Sequence, residues 1–162
     1  MKIDAEKYLF NIAVTYLGKY PATKNKIKEY LQKKIKSKKI YQKAIFSNYH
    51  DKEILIDSIV SKLDELNIID ENNYLESMFH YYQRSLFSLK KIKNKLYQKG
   101  FDKKIIEEFI AIQLQDDPDF EYKILEKYIQ KKNLRDLEVT ELKKKLYQQN
   151  FSENSIYKVI KE

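Results

Sequence analysis

A thirteen-residue segment occurs twice in this chain, fifty residues apart. Leu89-Lys-Lys-Ile-Lys-Asn-Lys-Leu-Tyr-Gln-Lys-Gly-Phe101 overlays Val139-Thr-Glu-Leu-Lys-Lys-Lys-Leu-Tyr-Gln-Gln-Asn-Phe151. Lys93/Lys143, Lys95/Lys145, Leu96/Leu146, Tyr97/Tyr147, Gln98/Gln148 and Phe101/Phe151 are identical pairs. Gly100 and Asn150 share one position, and these are the two residue types that best tolerate a positive φ. The repeat therefore includes a turn as well as a helix. Ile106/Ile156 and Ile110/Ile160 carry the match into a following helix. Lysine-rich helices resemble one another by composition, but a shared turn, a shared Phe and a matching third helix exceed what composition supplies. A degenerate copy lies upstream, where Ile27 and Leu31 answer Ile92 and Leu96, and Asp51, Leu55 and Ile59 answer Asp102, Ile106 and Ile110. In that copy the short turn is replaced by the sixteen residues from Ile35 to His50.

A unit of fifty residues buries little core alone, so neighbouring units pack end to end. The expected fold is all-α, an elongated curved array of three tandem three-helix repeats. Their expected bounds are 1–67, with the basic insertion, then 68–115 and 116–162. Apolar spacing agrees, since Tyr8, Ile12, Tyr16 and Leu17 share one face and Ile27, Leu31 and Ile35 follow at four-residue intervals. Asp70, Ser88 and Ser152 read as N-caps, Gly100 as a helix end and Pro118 as an early residue of the next helix. With two Gly and two Pro in 162 residues, a sandwich or barrel would lack turns.

Charge is distributed in blocks. Lys24 to Lys43 holds nine lysines against one acid, a net +8 that equals the formal charge of the whole chain. Arg84 to Lys104 is +7, while His50 to Glu76 and Glu107 to Glu126 are each −6. Such alternation suits separate faces, a basic one for phosphates and an acidic one for a protein. In the helix from Leu89, with Leu89, Ile92 and Leu96 inward, a helical wheel sets Lys91 on the far face with Lys90 and Lys95 flanking. Lys144 and Lys145 lie outward in the same way.

No catalytic constellation has usable spacing. The chain has no Cys, which removes disulfides, thiolate metal sites and cysteine nucleophiles. Phosphate-binding loops and zinc-binding helix motifs are missing from the sequence as well. His50 and His80 are thirty residues apart; the first reads as a loop-to-helix start and the second as a helix-surface residue. Asp116, Asp117 and Asp119 suit a helix N-terminus better than a metal. Fourteen tyrosines could stack on bases, but Tyr8, Tyr74 and Tyr97 sit at core spacing. Lys2, Lys7 and the apolar run Tyr8 to Val14 imitate a signal peptide. Asp4, Glu6, Asn11 and Thr15, with no small-residue cleavage site after them, argue instead for a first helix in a cytoplasmic protein. The expectation is a non-enzyme without cofactor or metal.

The stretch from Ile68-Ile69-Asp70-Glu71-Asn72-Asn73-Tyr74 through Leu89-Lys90-Lys91-Ile92, Leu96 and Lys99-Gly100-Phe101 resembles the RecX family, bacterial regulators of the RecA recombinase. The likeness is an acidic pair before an aromatic-led helix, then a basic helix closing in Lys-Gly-aromatic. It extends over nearly the whole chain as three repeats. The family pattern has a basic residue near Tyr82 and a glycine near Ser88; this chain has Arg84 nearby and no glycine there. The resemblance implies binding to the RecA–single-stranded-DNA filament and inhibition of its extension, ATP hydrolysis and strand exchange, within recombination and DNA repair. Expected partners are RecA, single-stranded DNA and also duplex DNA, with no membrane and the protein a monomer. Expected filament-binding residues are Lys33, Lys34, Lys36, Lys38, Lys39, Arg84, Lys90, Lys91, Lys95, Lys99, Lys144 and Lys145. Two other readings compete: a helix-turn-helix transcription regulator, disfavoured by Glu107 and Glu108 where phosphates would be met, and an α-repeat protein–protein adaptor.

Overall fold

The computed structural model describes residues 4–37 and 51–161. Its helices are α1 (Ala5–Leu17), α2 (Lys24–Lys36), α3 (Lys52–Glu65), α4 (Glu71–Arg84), α5 (Leu89–Gln98), α6 (Lys103–Asp116), α7 (Phe120–Lys131), α8 (Val139–Gln148) and α9 (Glu153–Lys161). Among the described residues there is no strand, and no helix is long and apolar enough to cross a membrane. The protein is all-α, and among the described residues its helices follow one another in nine successive segments. By packing it divides into two compact units, 1–74 and 75–162, with the division inside the first turn of α4.

In the first unit the four-residue spacing of Ile27, Leu31 and Ile35 lays one buried stripe along α2. Leu9 and Ala13 of α1 and Ile56, Ile59 and Leu63 of α3 are buried with it. Asp4, Thr23 and Asp51 cap the three helices, accepting from the amides of Glu6, Lys26 and Glu53 at 3.1, 3.2 and 3.0 Å. Each cap meets a donor that the first turn leaves without an intrahelical partner. Tyr16 lies on Tyr30 with ring centroids 4.3 Å apart, and burial, with Tyr16 beside it, raises the Tyr74 hydroxyl above its ordinary pKa.

In the second unit Ile92 and Leu96 of α5 occupy the buried positions that Ile27 and Leu31 hold in α2. Phe79 stacks on Phe120 and meets Phe109 edge-on, both at 5.1 Å. Asp70 caps α4 through the Asn73 amide at 3.1 Å, and Ser88 and Ser152 accept from the amides of Lys91 and Ser155, as their sequence positions indicate.

Five helices stop in the same way. Asn67, Leu86, Gly100, Asn133 and Asn150 have φ of 54°, 60°, 97°, 52° and 63°, each one residue past the helix cap. The amide of the next residue reaches back to a carbonyl inside the helix: Ile68 to Leu63, Phe87 to Tyr82, Phe101 to Leu96, Leu134 to Ile129 and Phe151 to Leu146. This is the Schellman geometry, in which a left-handed residue closes the helix and an apolar one follows it. Four of the five positions carry Gly or Asn; Leu86 is the bulky exception, two residues before the site where the family pattern has glycine.

Two local expectations are corrected. Pro118 is not in a helix: α7 starts at Phe120, whose amide donates to the Asp117 carbonyl at 3.1 Å. Pro118 is thus the second residue of a turn, a place that suits its fixed φ. Tyr97 does not pack; it is 66% exposed, because its position falls off the Ile92–Leu96 stripe.

Candidate nucleic-acid interface

The orientation of α5 is set at its N-terminus. Leu86 turns the chain out of α4, and Ser88, buried, donates its Oγ hydrogen to the Gln149 carbonyl at 2.9 Å while accepting from the Lys91 amide at 3.2 Å. A carboxylate completes the fixation. Glu121, 6% exposed, accepts from the Leu89 amide at 3.1 Å, the Ser152 amide at 3.2 Å and the Ser155 hydroxyl at 2.9 Å, and also from the Ser152 hydroxyl. It lies in the first turn of its own α7, so three helix N-termini meet at one anion, those of α5 and α9 donating amides and all three placing partial positive charge there. Glu71, fifty residues earlier, accepts the Lys24 amide at the start of α2 at 2.6 Å.

With Ile92 and Leu96 pointing inward, α5 has two flanks. One faces α4 across a groove of about 860 Å³ lined by Ser77, Met78, Tyr81, Tyr82, Arg84, Ser85, Phe87, Lys95, Gln98 and Lys99. Three of the sequence-named cations, Arg84, Lys95 and Lys99, converge there, and no carboxylate is among the lining residues. Lys91 stands at its margin. Its ammonium lies 4.3 Å from the centroid of the Phe87 ring, which corrects its placement on the far face: the wheel assigns its angle but not the aromatic side chain from the preceding turn that covers it. Lys90 is exposed on the opposite flank, and Lys144 and Lys145 are exposed on α8.

In the first unit Lys33 and Lys36 are exposed, while the Lys34 ammonium sits 5.3 Å from the Tyr30 ring centroid. Lys38, Lys39 and most of the basic insertion lie outside the described residues. The rest of α2 is neutralised: Lys24 pairs with Asp64 at 2.7 Å, Lys28 with Asp57 at 2.8 Å and Lys26 with Glu29 at 3.1 Å. Among the described residues, Arg84, Lys90, Lys93, Lys95, Lys144 and Lys145 have no such carboxylate.

The acids have structural partners. Asp117 holds Lys123 and Asp119 holds Lys158, each at 2.8 Å, and the Lys158 hydrogen bond and charge keep the Asp119 carboxyl below its usual range. His80 lies on the surface of α4 with Gln83 3.1 Å away. Sequence reasoning missed the exposed tyrosines Tyr81, Tyr97 and Tyr147 and the lysines Lys93 and Lys143. For Tyr97, Tyr147, Lys93 and Lys143 the available signal was identity between repeats at positions outside the apolar stripe; Tyr81 has no such counterpart, since Lys131 stands at the offset of fifty.

No family model matches the chain. Among curated proteins it is similar to the regulatory protein RecX of Caldanaerobacter subterraneus subsp. tengcongensis, 24% identical over 159 residues, covering 98% of this chain and 78% of the relative. It is also similar to the regulatory protein RecX of Finegoldia magna, 30% identical over 112 residues, 68% of this chain and 52% of that one. Its fold matches the crystal structure of RecX from Lactobacillus salivarius with a TM-score of 0.70 at 20% identity, over 96% of this chain and 94% of that one. A second crystal structure, of a regulatory protein RecX, matches with a TM-score of 0.68 at 20% identity, over 96% of this chain and 71% of that one. With the repeat, the helix-end turns and the acidic-pair helix start all in place, the chain is similar over nearly its whole length to RecX regulatory proteins and has the fold of the RecX crystal structures.

Proposed function

We propose that this chain regulates the RecA recombinase by binding its filament on single-stranded DNA, restraining filament extension, ATP hydrolysis and strand exchange. The observation that carries the reading is the groove between α4 and α5, where Arg84, Lys95 and Lys99 converge with no lining carboxylate. Cations on a rigid helix flank meet phosphates without reading bases, which suits a partner found wherever the recombinase has polymerised. The name shared by both relatives, a RecX regulatory protein, supports the regulatory role. The transcription-regulator reading is weaker, because Glu107 and Glu108 on α6 stand exposed and paired only with Lys103 and Lys104 of the same helix, at 3.9 Å each.

The test is ATP hydrolysis by RecA preassembled on single-stranded DNA as the protein is titrated in. Inhibition well below one molecule per recombinase subunit is expected, with weaker inhibition by an Arg84→Ala/Lys95→Ala/Lys99→Ala variant of intact helical circular dichroism. No effect at stoichiometric excess overturns the reading.

A further inference from the structure

A second cationic flank, away from the groove, carries the same Lys–Tyr pair in two repeats, with Lys93 exposed and Lys143 half-buried. On α5, Lys93 and Tyr97 are one turn apart and both exposed, so they share a face. Lys143 and Tyr147 repeat the pair on α8, with Tyr147 45% exposed. The Lys143 ammonium lies 5.0 Å from the ring centroid of Tyr157, itself 44% exposed. Packing accounts for none of these rings, since the buried stripes run through Ile92, Leu96 and Leu146. Lys90, two turns before Tyr97 on the same face, adds a further exposed cation. The hydrogen bond from Ser88 to the Gln149 carbonyl brings the end of α8, where Tyr147 stands, to the start of α5. Tyr97, near the far end of that ten-residue helix, is on the order of 12–15 Å from the junction.

We infer that Tyr97 and Tyr147, with Lys93 and Lys143 one turn before them, form a stacking track for the bases of single-stranded nucleic acid, distinct from the phosphate-binding groove. Exposed aromatic rings spaced among cations suit an unpaired strand, whose bases offer flat faces and whose backbone offers charge. A duplex hides those faces, and an acidic protein would engage the lysines and leave the rings without partners. The first repeat shows the alternative use of the same positions. There Lys28, the counterpart of Lys93, is paired with Asp57 at 2.8 Å, and Gln32, the counterpart of Tyr97, bonds Glu53 at 3.1 Å.

The inference rests on the strand-binding part of the proposed function, and its test separates the two. Fluorescence anisotropy of the full chain is measured with a labelled oligothymidylate and with an abasic oligomer of equal length and charge. The wild type is expected to prefer the thymidylate about tenfold or more, as one stacked base supplies. Tyr97→Ala/Tyr147→Ala abolishes that preference and Tyr97→Phe/Tyr147→Phe keeps it, while Arg84→Ala/Lys95→Ala weakens both probes and leaves their ratio unchanged. Equal wild-type affinity for the two probes, or a preference that survives the alanine variant, overturns the stacking track and leaves the groove reading standing. Binding of neither probe at low salt overturns both. A tyrosine-dependent preference with untouched RecA ATP hydrolysis supports the track and overturns the filament reading.

Discussion

The helices α2 and α5 are both lysine-rich and are packed alike, yet their charge is not equally available. α2 has six lysines in thirteen residues and α5 four in ten, and each buries an Ile and a Leu at equivalent positions. On α2 two of the cations, Lys24 and Lys28, are answered across the helix interface by Asp64 and Asp57 of α3. On α6 the counterpart of Asp57, Glu108, lies 3.9 Å from Lys104 of its own helix, the counterpart of Asp64 is Gln115, and among the described residues no carboxylate answers Lys90, Lys93 or Lys95 of α5. Three lysines of the +8 block, Lys24, Lys26 and Lys28, are thus paired, while the charge of α5 is concentrated in a groove and on a second flank. Availability is set by the neighbour's carboxylates, not by lysine density.

The comparison can be broken at several points. The largest effects are expected where both helices are packed: Leu31→Ala and Leu96→Ala, at fully buried sites, should each lower unfolding free energy by about 2–5 kcal/mol. Thermal melts check this, and a large difference between the two would show that the repeats are not equivalent in their cores. Next come the carboxylates at the helix starts. Glu121→Ala strips partners from two amides and two serine hydroxyls and should cost about 2–4 kcal/mol, whereas Glu71→Ala frees one amide and should cost about 1 kcal/mol. Urea denaturation of the two variants measures the difference, and equal losses would remove the special standing of the Glu121 junction.

Smaller again are the helix ends. Gly100→Ala, at φ 97°, should lose about 1–2 kcal/mol. Leu86→Gly should gain up to about 1 kcal/mol, relief of the left-handed leucine exceeding the entropy that glycine adds to the unfolded chain. A Leu86→Gly variant that melts earlier would show that the leucine side chain contributes more by packing than its backbone costs. The smallest stability change is expected from Glu53→Gln/Asp57→Asn, since exposed ion pairs contribute less than about 1 kcal/mol. Its consequence is electrostatic: freeing Lys28 should tighten oligothymidylate binding at low salt, and unchanged affinity would mean that α2 is oriented away from the strand whatever its pairing.

Much of this architecture is legible along the chain. The apolar stripe of α2, the caps Asp70, Ser88 and Ser152, and the turns at Gly100 and Asn150 all follow from side-chain chemistry acting within a few residues. Asn67, Leu86 and Asn133 make the same turn but escape notice because no second copy lies beside them at a matching offset, and a leucine carries no mark of a positive φ. Pro118 shifts by a residue or two because a turn and a helix start both welcome proline. For the site, charge spacing named Arg84, Lys95 and Lys99 but assigned Lys91 to open solvent, since the Phe87 ring that covers it comes from the preceding turn.

The sequence by itself determined the all-helical class, the repeat, the buried faces and the places where helices begin and end, because each depends on periodicity or on bonds between near neighbours. Only the tertiary structure decided which lysines are neutralised, that three cations share one groove, that Phe87 covers Lys91, and that Glu121 joins three helix starts. Those outcomes depend on side chains brought together from helices tens of residues apart, and a pattern read along one helix carries no record of what another helix places against it.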